Sequence, residues 1–425
     1  MKRIYALAST LLLMATHQLS AQCDGRYQTD IFTNVDISTV QYGSNQNLSG
    51  TTINLDMDIY QPQGDTASMR PLVLLAHGGS FIGGTKNDAD VVFMANELTK
   101  KGYVCASINY RLATSAFQLI AEETTVKIVF NAIQDGKAAV RFFRQDAATT
   151  NTYKIDPDQI FFGGSSAGAI LAINLTYVDD ISDLPESSPS YWQTWLNELG
   201  GLEGQSGNPG YCSRTNGTFG FAGGIADTNY IDADDVPWYG SHAYDDQTVR
   251  YDCGYPLNGS TPVTLCGSGV MKPRLSNLNT YYHLDEYAGG AHPPYNGSGS
   301  IMADNKDSLA MFLYNILDCN PSNLKKPTQK TCANTSVSIA EVNHHIMDAS
   351  IYPNPVNDEV NVALNNEFID HTTIAVINTV GKVVLSKHVN ASITPLNLSN
   401  LATGVYYIKI TSATGATQTQ MIVKQ

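Results

Sequence analysis

The stretch IFFGGSSAGAILAINL, residues 160–175, constrains the fold more than any other part of this 425-residue chain. It passes from a short apolar run, IFF, to a helix-forming run, AGAILAINL, through the turn GGSSAG. Such a turn is either a plain join between a buried strand and a helix, or a tight elbow that raises one serine at the edge of a sheet. An elbow brings strand and helix so close that only Gly or Ala fits two residues either side of the raised serine. Centred on Ser166, the flanks are Gly164 and Gly168; centred on Ser165, they are Gly163 and Ala167. The first spacing is the better one, so Ser166 is the candidate nucleophile and Ser165 the alternative. GxSxG alone is common by chance in Gly- and Ser-rich loops. Its weight here comes from the strand before it and the helix after it.

From residue 51 to about 319, apolar strand-like runs alternate with helical patterns, the signature of an α/β domain with a mostly parallel sheet. PLVLLAHGG and YVCASINYRL read as continuous buried strands, and DADVVFMANELTKKG between them as a helix with an acidic start and a Lys-Lys-Gly stop. INLDMDIYQP alternates as an edge strand would, and IVFNAIQDGKAAVRFFRQDA is a second amphipathic helix. The predicted architecture is a three-layer α/β/α fold over residues 22–320. Residues 184–211, rich in Ser, Pro and Gly around YWQTWLNELG, break the pattern and read as a lid insertion over the sheet's carboxyl edge. A polar linker is expected over residues 321–349. Beyond it, EVNVALN, TTIAVINTVGKVVLSKHV and GVYYIKITSATGATQTQMIVKQ alternate with period two, which predicts a small all-β sandwich over residues 350–425.

A serine hydroxyl needs a base to take its proton, and the oxyanion formed on attack needs preorganised N–H donors. In LLAHGGSFIGGTK, His77, Gly78 and Gly79 follow a buried strand, and the glycines leave their N–H groups open to a ligand. The expected donors are Gly78 or Gly79 with Ala167, the residue after the nucleophile; His77 reads as structural. A plain glycine loop would be the reading without the elbow downstream.

These motifs, with SINYRL and GKAAVRFFR between them, resemble the carboxylesterase and lipase branch of the α/β hydrolase superfamily over about residues 56–319. That resemblance implies hydrolysis of carboxylic esters through an acyl-enzyme, with no cofactor or metal, and a chain order of Ser, then acid, then His. SHAYDDQTVRY is similar to the family's HGxxDxxVP segment, which makes Asp246 the acid and Val249 its packing partner. Ala243 and Arg250 stand where Gly and Pro are usual, so Asp245 stays open. In YYHLDEYAGGAHPPYNG, His292 falls where the family places its base, while His283 lies inside a strand. The tail resembles the C-terminal sorting domain of the type IX secretion system in IYPNPVNDEVNV, NTVGKVV, LSNLATGVYYIKI and MIVKQ. It implies that secretion machinery as a partner and export through the periplasm of a Gram-negative bacterium, to the surface or beyond. A carbohydrate-binding sandwich is the alternative.

The N-terminus fits that route. Lys2 and Arg3 precede an apolar run over residues 4–14, and Ser20 and Ala21 supply a small-residue cleavage site, so residues 1–21 read as a signal peptide. The run is too short to span a bilayer. Seven cysteines in an exported chain favour disulfides: Cys105, in a buried strand, is the expected free thiol, and Cys319 with Cys332 is the local pairing. No zinc spacing occurs. The net charge of -14 speaks against nucleic acid and anionic membranes. DTNYIDADD, residues 227–235, could hold calcium but lacks the glycine and terminal glutamate of a calcium loop, and a solvated acidic loop is the simpler reading. A serine peptidase of the same fold and a non-catalytic adhesion module are the rival functions. The ester itself is left open among acyl groups on polysaccharide, lipids and polyester; Tyr191, Trp192 and Trp195 would suit an apolar or aromatic acyl pocket, although surface packing explains them equally well.

Overall fold

The continuous apolar runs are the inner strands of one eight-stranded sheet. In chain order the strands are Val35–Gln46 (β1), Thr52–Pro62 (β2), Arg70–Ala76 (β3), Val104–Ile108 (β4), Ile155–Ser165 (β5), Gly217–Phe221 (β6), Trp238–Ala243 (β7) and Tyr282–Tyr287 (β8). Across the sheet the order is β1-β2-β4-β3-β5-β6-β7-β8. β1, β2 and β4 pair antiparallel, and every pair from β4 to β8 is parallel. The longer helices among the described residues are Ala89–Lys100 (α1), Glu122–Ala148 (α2), Ala167–Tyr177 (α3), Ser268–Asn277 (α4) and Gly299–Asn315 (α5).

This computed structural model describes Cys23, residues 25–179, Leu196, and residues 199–289, 291–320 and 322–325. In the tail it describes residues 349–364, 372–378, 382–389, 391–411 and 417–425. The chain divides into two units between Ala333 and Asn334.

Strand side chains alternate between faces, and the inner strands feed two cores by that rule. Leu72, Leu74, Ala106 and Phe162 pack with Ile133, Val140 and Leu171 of α2 and α3. Their neighbours Val73, Leu75, Cys105 and Phe161 pack on the other face with Met94 and Leu98 of α1 and Leu309 and Leu313 of α5. This is why strands read as unbroken apolar runs, and it produces the three layers the sequence predicts. One expectation is corrected: β2 is not the edge strand. β1 pairs along it from Val35↔Pro62 to Gln46↔Thr52, and β1 escaped notice because its face is largely exposed and polar.

Cysteine pairing is also corrected. Cys319 is bonded to Cys23, 296 residues away, and not to Cys332, which lies outside the described residues. Sequence proximity misleads here because the N-terminal segment docks on the hydrolase core: Tyr27 N–H donates to the Lys101 carbonyl at 2.8 Å, and Arg26 Nη2 donates to Asp65 at 2.6 Å. Cys253 pairs with Cys266, Cys212 is disulfide-bonded as well, and Cys105 is free and buried, as expected. Most of the expected lid, with Tyr191, Trp192 and Trp195, lies outside the described residues. Its described end is fastened along α2, where Ser206 Oγ donates to Asp135 at 2.5 Å and Glu203 pairs with Lys137 and Arg141.

In the second unit, Ser350–Tyr352 (β9), Glu359–Ala363 (β10) and Ile393–Asn397 (β13) make one antiparallel sheet. Thr373–Asn378 (β11), Val383–His388 (β12), Gly404–Thr411 (β14) and Thr417–Lys424 (β15) make another, ordered β12-β11-β14-β15. Val360, Val362, Ile374, Ile408 and Ile422 meet in one core, so this unit is the small all-β sandwich that alternation predicts.

Candidate active site

β5 runs straight into Ser166, which sits at φ 51°, ψ -116° before the first turn of α3. A positive φ is costly for a residue with a Cβ and persists only where the surroundings force it. The forcing is visible in the glycines. A Cβ on Gly164 would lie 2.2 Å from the Ala76 carbonyl oxygen, and one on Gly168 would lie 2.0 Å from the same atom. The end of β3 therefore fills the space where side chains would go on both flanks of Ser166; in the Ser165 register Gly163 is equally confined, by the Phe219 ring at 2.1 Å, but its partner is Ala167.

The structure brings Ser166, His292 and Asp246 together and sends their neighbours elsewhere. Ser166 Oγ lies 2.6 Å from His292 Nε2, and His292 Nδ1 lies 2.6 Å from Asp246 Oδ2. Ser165 instead donates to Asp90 Oδ2 at 2.6 Å. Asp245 is exposed, and His283 pairs with Asp285 on β8. An ionised carboxylate only accepts, so Nδ1 of His292 carries the proton and Nε2 presents a lone pair to the serine hydroxyl.

Asp246 is buried at 4 % exposure. Burial pushes its pKa up, but hydrogen bonds from His242, His292 and the Thr248 N–H outweigh it and hold the carboxyl well below its usual range. Oδ1 also accepts from Val249 N–H at 3.1 Å, and Val249 is buried, as expected. His242 is a site residue the sequence reading left without a role. Its Nε2 is 2.9 Å from the Val249 carbonyl and 3.5 Å from Asp246 Oδ2, two acceptors, so that nitrogen carries the proton. The signal was present: His242 heads the segment that located Asp246, four residues before it.

The glycine loop after β3 packs directly on the elbow, since a Cβ on Gly78 would lie 3.4 Å from Ser166 Cβ. His77 holds this loop. Its Nδ1 is 2.7 Å from the Gly78 carbonyl, its own carbonyl accepts from Tyr110 OH at 2.7 Å, and its ring stacks on Tyr110 at 4.3 Å. Burial pushes its imidazole pKa down, against the pull of the Gly78 carbonyl. Gly79 has φ 111°, a conformation that favours glycine, and its carbonyl accepts from Ile82 and Gly83. Ala167 is the first residue of α3, where N–H groups have no partner within the helix. Gly78 and Gly79 border the same groove as Ser166, and Ala167 follows it in the chain. In the acidic loop at residues 227–235, Asp227 and Asp235 accept from Asn229 and Asp232 N–H, and no metal-ligating cluster occurs among the described residues.

Residues 57–197 match the BD-FAE family, an esterase-like α/β hydrolase domain. The first unit is a carboxylesterase-like hydrolase. Residues 350–424 match the secretion system C-terminal sorting domain, so the hydrolase is exported to the cell surface or released. No helix among the described residues is long and apolar enough to cross a membrane. Similar solved structures include the native thermophilic esterase Est2 of the planctomycete Thermogutta terrifontis, at 18% identity and a TM-score of 0.45, with 64% of this chain and 90% of that one covered. Another is a truncated carbohydrate esterase from gut microbiota, at 20% identity and a TM-score of 0.46, with 67% and 98% covered. No curated protein matches the chain.

Proposed function

We propose that the hydrolase cleaves carboxylic esters through a covalent acyl-serine and leaves the cell by the type IX route that its tail addresses. The observation that carries the reading is the unbroken hydrogen-bonded path from Ser166 Oγ through the His292 ring to Asp246, made by residues 126 and 46 positions apart in sequence. Ser166 Oγ attacks the ester carbonyl carbon while its proton passes to His292 Nε2. The carbonyl electron pair moves onto oxygen, where the N–H groups of Gly78, Gly79 and Ala167 are the donors. Collapse breaks the bond to the alcohol oxygen, which takes the proton back from His292. Water then repeats the sequence on the acyl-enzyme and frees the acid. Asp246 stays ionised throughout, fixing the imidazole tautomer and stabilising the imidazolium.

Pre-steady-state hydrolysis of p-nitrophenyl esters tests this. A burst of p-nitrophenol near one equivalent per enzyme is expected, and it should vanish in Ser166→Ala. Failure to hydrolyse any ester, or undiminished turnover in the variant, would refute the mechanism. Faster cleavage of peptide p-nitroanilides than of esters would replace it with a peptidase.

A further inference from the structure

Ser166 stands between two spaces of opposite character. On one side is an open groove of about 760 Å³ bordered by Asp88, Asp90, His292, Asn296 and Ser298. On the other is a chamber of about 80 Å³ whose walls include Phe81, Val129, Ile170, Val249, Leu257 and Leu265. A second apolar chamber, of about 180 Å³, shares Thr125, Val129, Ile170, Val263 and Leu265 with the first. It continues past Phe130, Ile133 and Val178 to Tyr230.

The two chambers follow the groove between α2 and α3. Thr125, Val129 and Ile133 of α2 recur at four-residue spacing, and so do Ile170, Asn174 and Val178 along α3 and its cap, so each set lies on one face of its helix. At a rise of ~1.5 Å per residue, Ile170 to Val178 spans about 12 Å, leading directly away from the serine. Of the polar side chains along this path, which also include Ser80, Thr248, Glu122 and Tyr230, three are committed to backbone carbonyls. Thr125 Oγ1 donates to the Ala121 carbonyl at 2.9 Å, and Asn174 Nδ2 donates to the carbonyls of Ile170 and Gly224 at 2.8 and 3.1 Å. Thr261 Oγ1 donates to the Pro256 carbonyl at 3.3 Å. These three side chains have no donor left for a hydroxyl or carboxyl on the occupant, and the exposed Glu122 carboxylate, which lines the second chamber, offers none either. The outer wall is the loop closed by Cys253–Cys266, which carries Leu257 and Val263 and is tied to the Asp246 loop by Leu257 N–H on the Thr248 carbonyl at 2.8 Å.

We propose that the two chambers form one acyl channel, and that the preferred substrates are esters of linear, unsubstituted fatty acids of medium length. This rests on the serine hydrolase reading above and names its acyl group. An extended chain advances about 1.2 Å per bond, taking the backbone's ~3.6 Å over three bonds as the measure. The 12 Å path then holds about ten carbons. Each methylene removed from water on binding contributes roughly fourfold in kcat/KM when the contact is kept in the transition state. Short acyl groups fill only the first chamber and forgo that gain.

The test uses the full mature chain and a series of p-nitrophenyl esters from acetyl through butyryl, hexanoyl, octanoyl, decanoyl and dodecanoyl to palmitoyl, each below its micelle concentration. kcat/KM should climb from acetyl to about decanoyl and fall by palmitoyl. Val129→Trp fills the shared waist, and the ratio of decanoyl to acetyl kcat/KM should drop at least tenfold. Val126→Trp narrows only the second chamber and should move the maximum to shorter chains; its half-exposed position keeps the test available if the Val129 variant fails to fold. A maximum at acetyl or butyryl, unchanged ratios in both folded variants, or a methyl hydroxycinnamate outrunning methyl decanoate would overturn the proposal while leaving the ester hydrolase intact. No turnover on any member of the series would overturn both.

Discussion

In the tail, β14 turns Tyr406, Ile408 and Ile410 inward and Tyr407 and Lys409 outward, and β10 does the same with Val360 and Val362. Between Gly163 and Gly168 of the hydrolase unit such regularity fails. Ser166 takes a left-handed φ, glycines sit where a Cβ would strike the neighbouring strand, and nearby Asp246 keeps a charge in a buried place. A segment that obeys every local rule is explained by folding alone. One that breaks several at a single point is held there by its surroundings, and such points are where chemistry is to be sought. The contrast makes a strong claim: changes at the elbow should destroy activity, and changes in the tail should leave it untouched.

The largest effect belongs to Ser166→Ala. Removing the nucleophile should cost about 10⁶-fold in kcat, the order seen when the serine of such a triad is deleted. Its circular dichroism and melting should match the parent, since no core contact is lost. Asp246→Asn comes next, with a loss of about 10⁴ because the amide supports the wrong imidazole tautomer. Asp245→Asn should stay within about tenfold of the parent, the exposed carboxylate having no part in the path to His292. Rates of both variants on one activated ester check the pair.

Gly168→Ala asks whether the backbone at the elbow is as constrained as its contacts imply. With its Cβ 2.0 Å from the Ala76 carbonyl oxygen, the substitution should destabilise the hydrolase unit by about 3 kcal/mol or prevent its folding. Denaturant unfolding followed by Trp fluorescence would measure it. Acid is a milder probe. Burial raises the pKa of Asp65, but hydrogen bonds from Arg26 and Arg70 bring it down to about 2. A carboxyl whose folded pKa lies below its unfolded value near 3.9 stabilises the fold above that pH and loses the contribution as pH falls toward its folded pKa. The melting temperature of the hydrolase unit should therefore fall between about pH 4 and pH 2, and Asp65→Asn should flatten part of that slope.

The smallest effects on catalysis lie in the tail. Ile408→Ala, which truncates a fully buried side chain, should cost the sorting unit about 2–5 kcal/mol while leaving kcat/KM unaltered. Deleting residues 350–425 should likewise preserve the activity of purified enzyme but keep it out of the culture fluid. A loss of activity on either change would mean that the tail contributes to the site and that the contrast between the units is false.

Much of this was legible in the sequence because it depends on local pattern. Period-two alternation marked β10, β11, β14 and β15, unbroken apolar runs marked β3, β4 and β5, and glycine spacing separated Ser166 from Ser165. Other features depend on what meets in space. β1 is polar and twists along an edge, so nothing in its composition distinguishes it from a loop. The Cys23–Cys319 bond joins opposite ends of the hydrolase unit, 296 positions apart, a pairing that proximity in sequence ranks near the bottom. His242 supports Asp246 from within a strand, at a spacing the sequence did carry, whereas His77 holds the glycine loop through its Nδ1 on the Gly78 carbonyl and its ring on Tyr110, contacts that no spacing announces.

The most direct test of the account is to trap the nucleophile. The full-length enzyme is incubated with a fluorophosphonate, digested, and the modified peptide sequenced by mass spectrometry. The account predicts one phosphonyl group, on Ser166, with labelling abolished in His292→Ala because the serine then lacks its base. A label on Ser165, or ester turnover that survives in an enzyme carrying no label on Ser166, would contradict it.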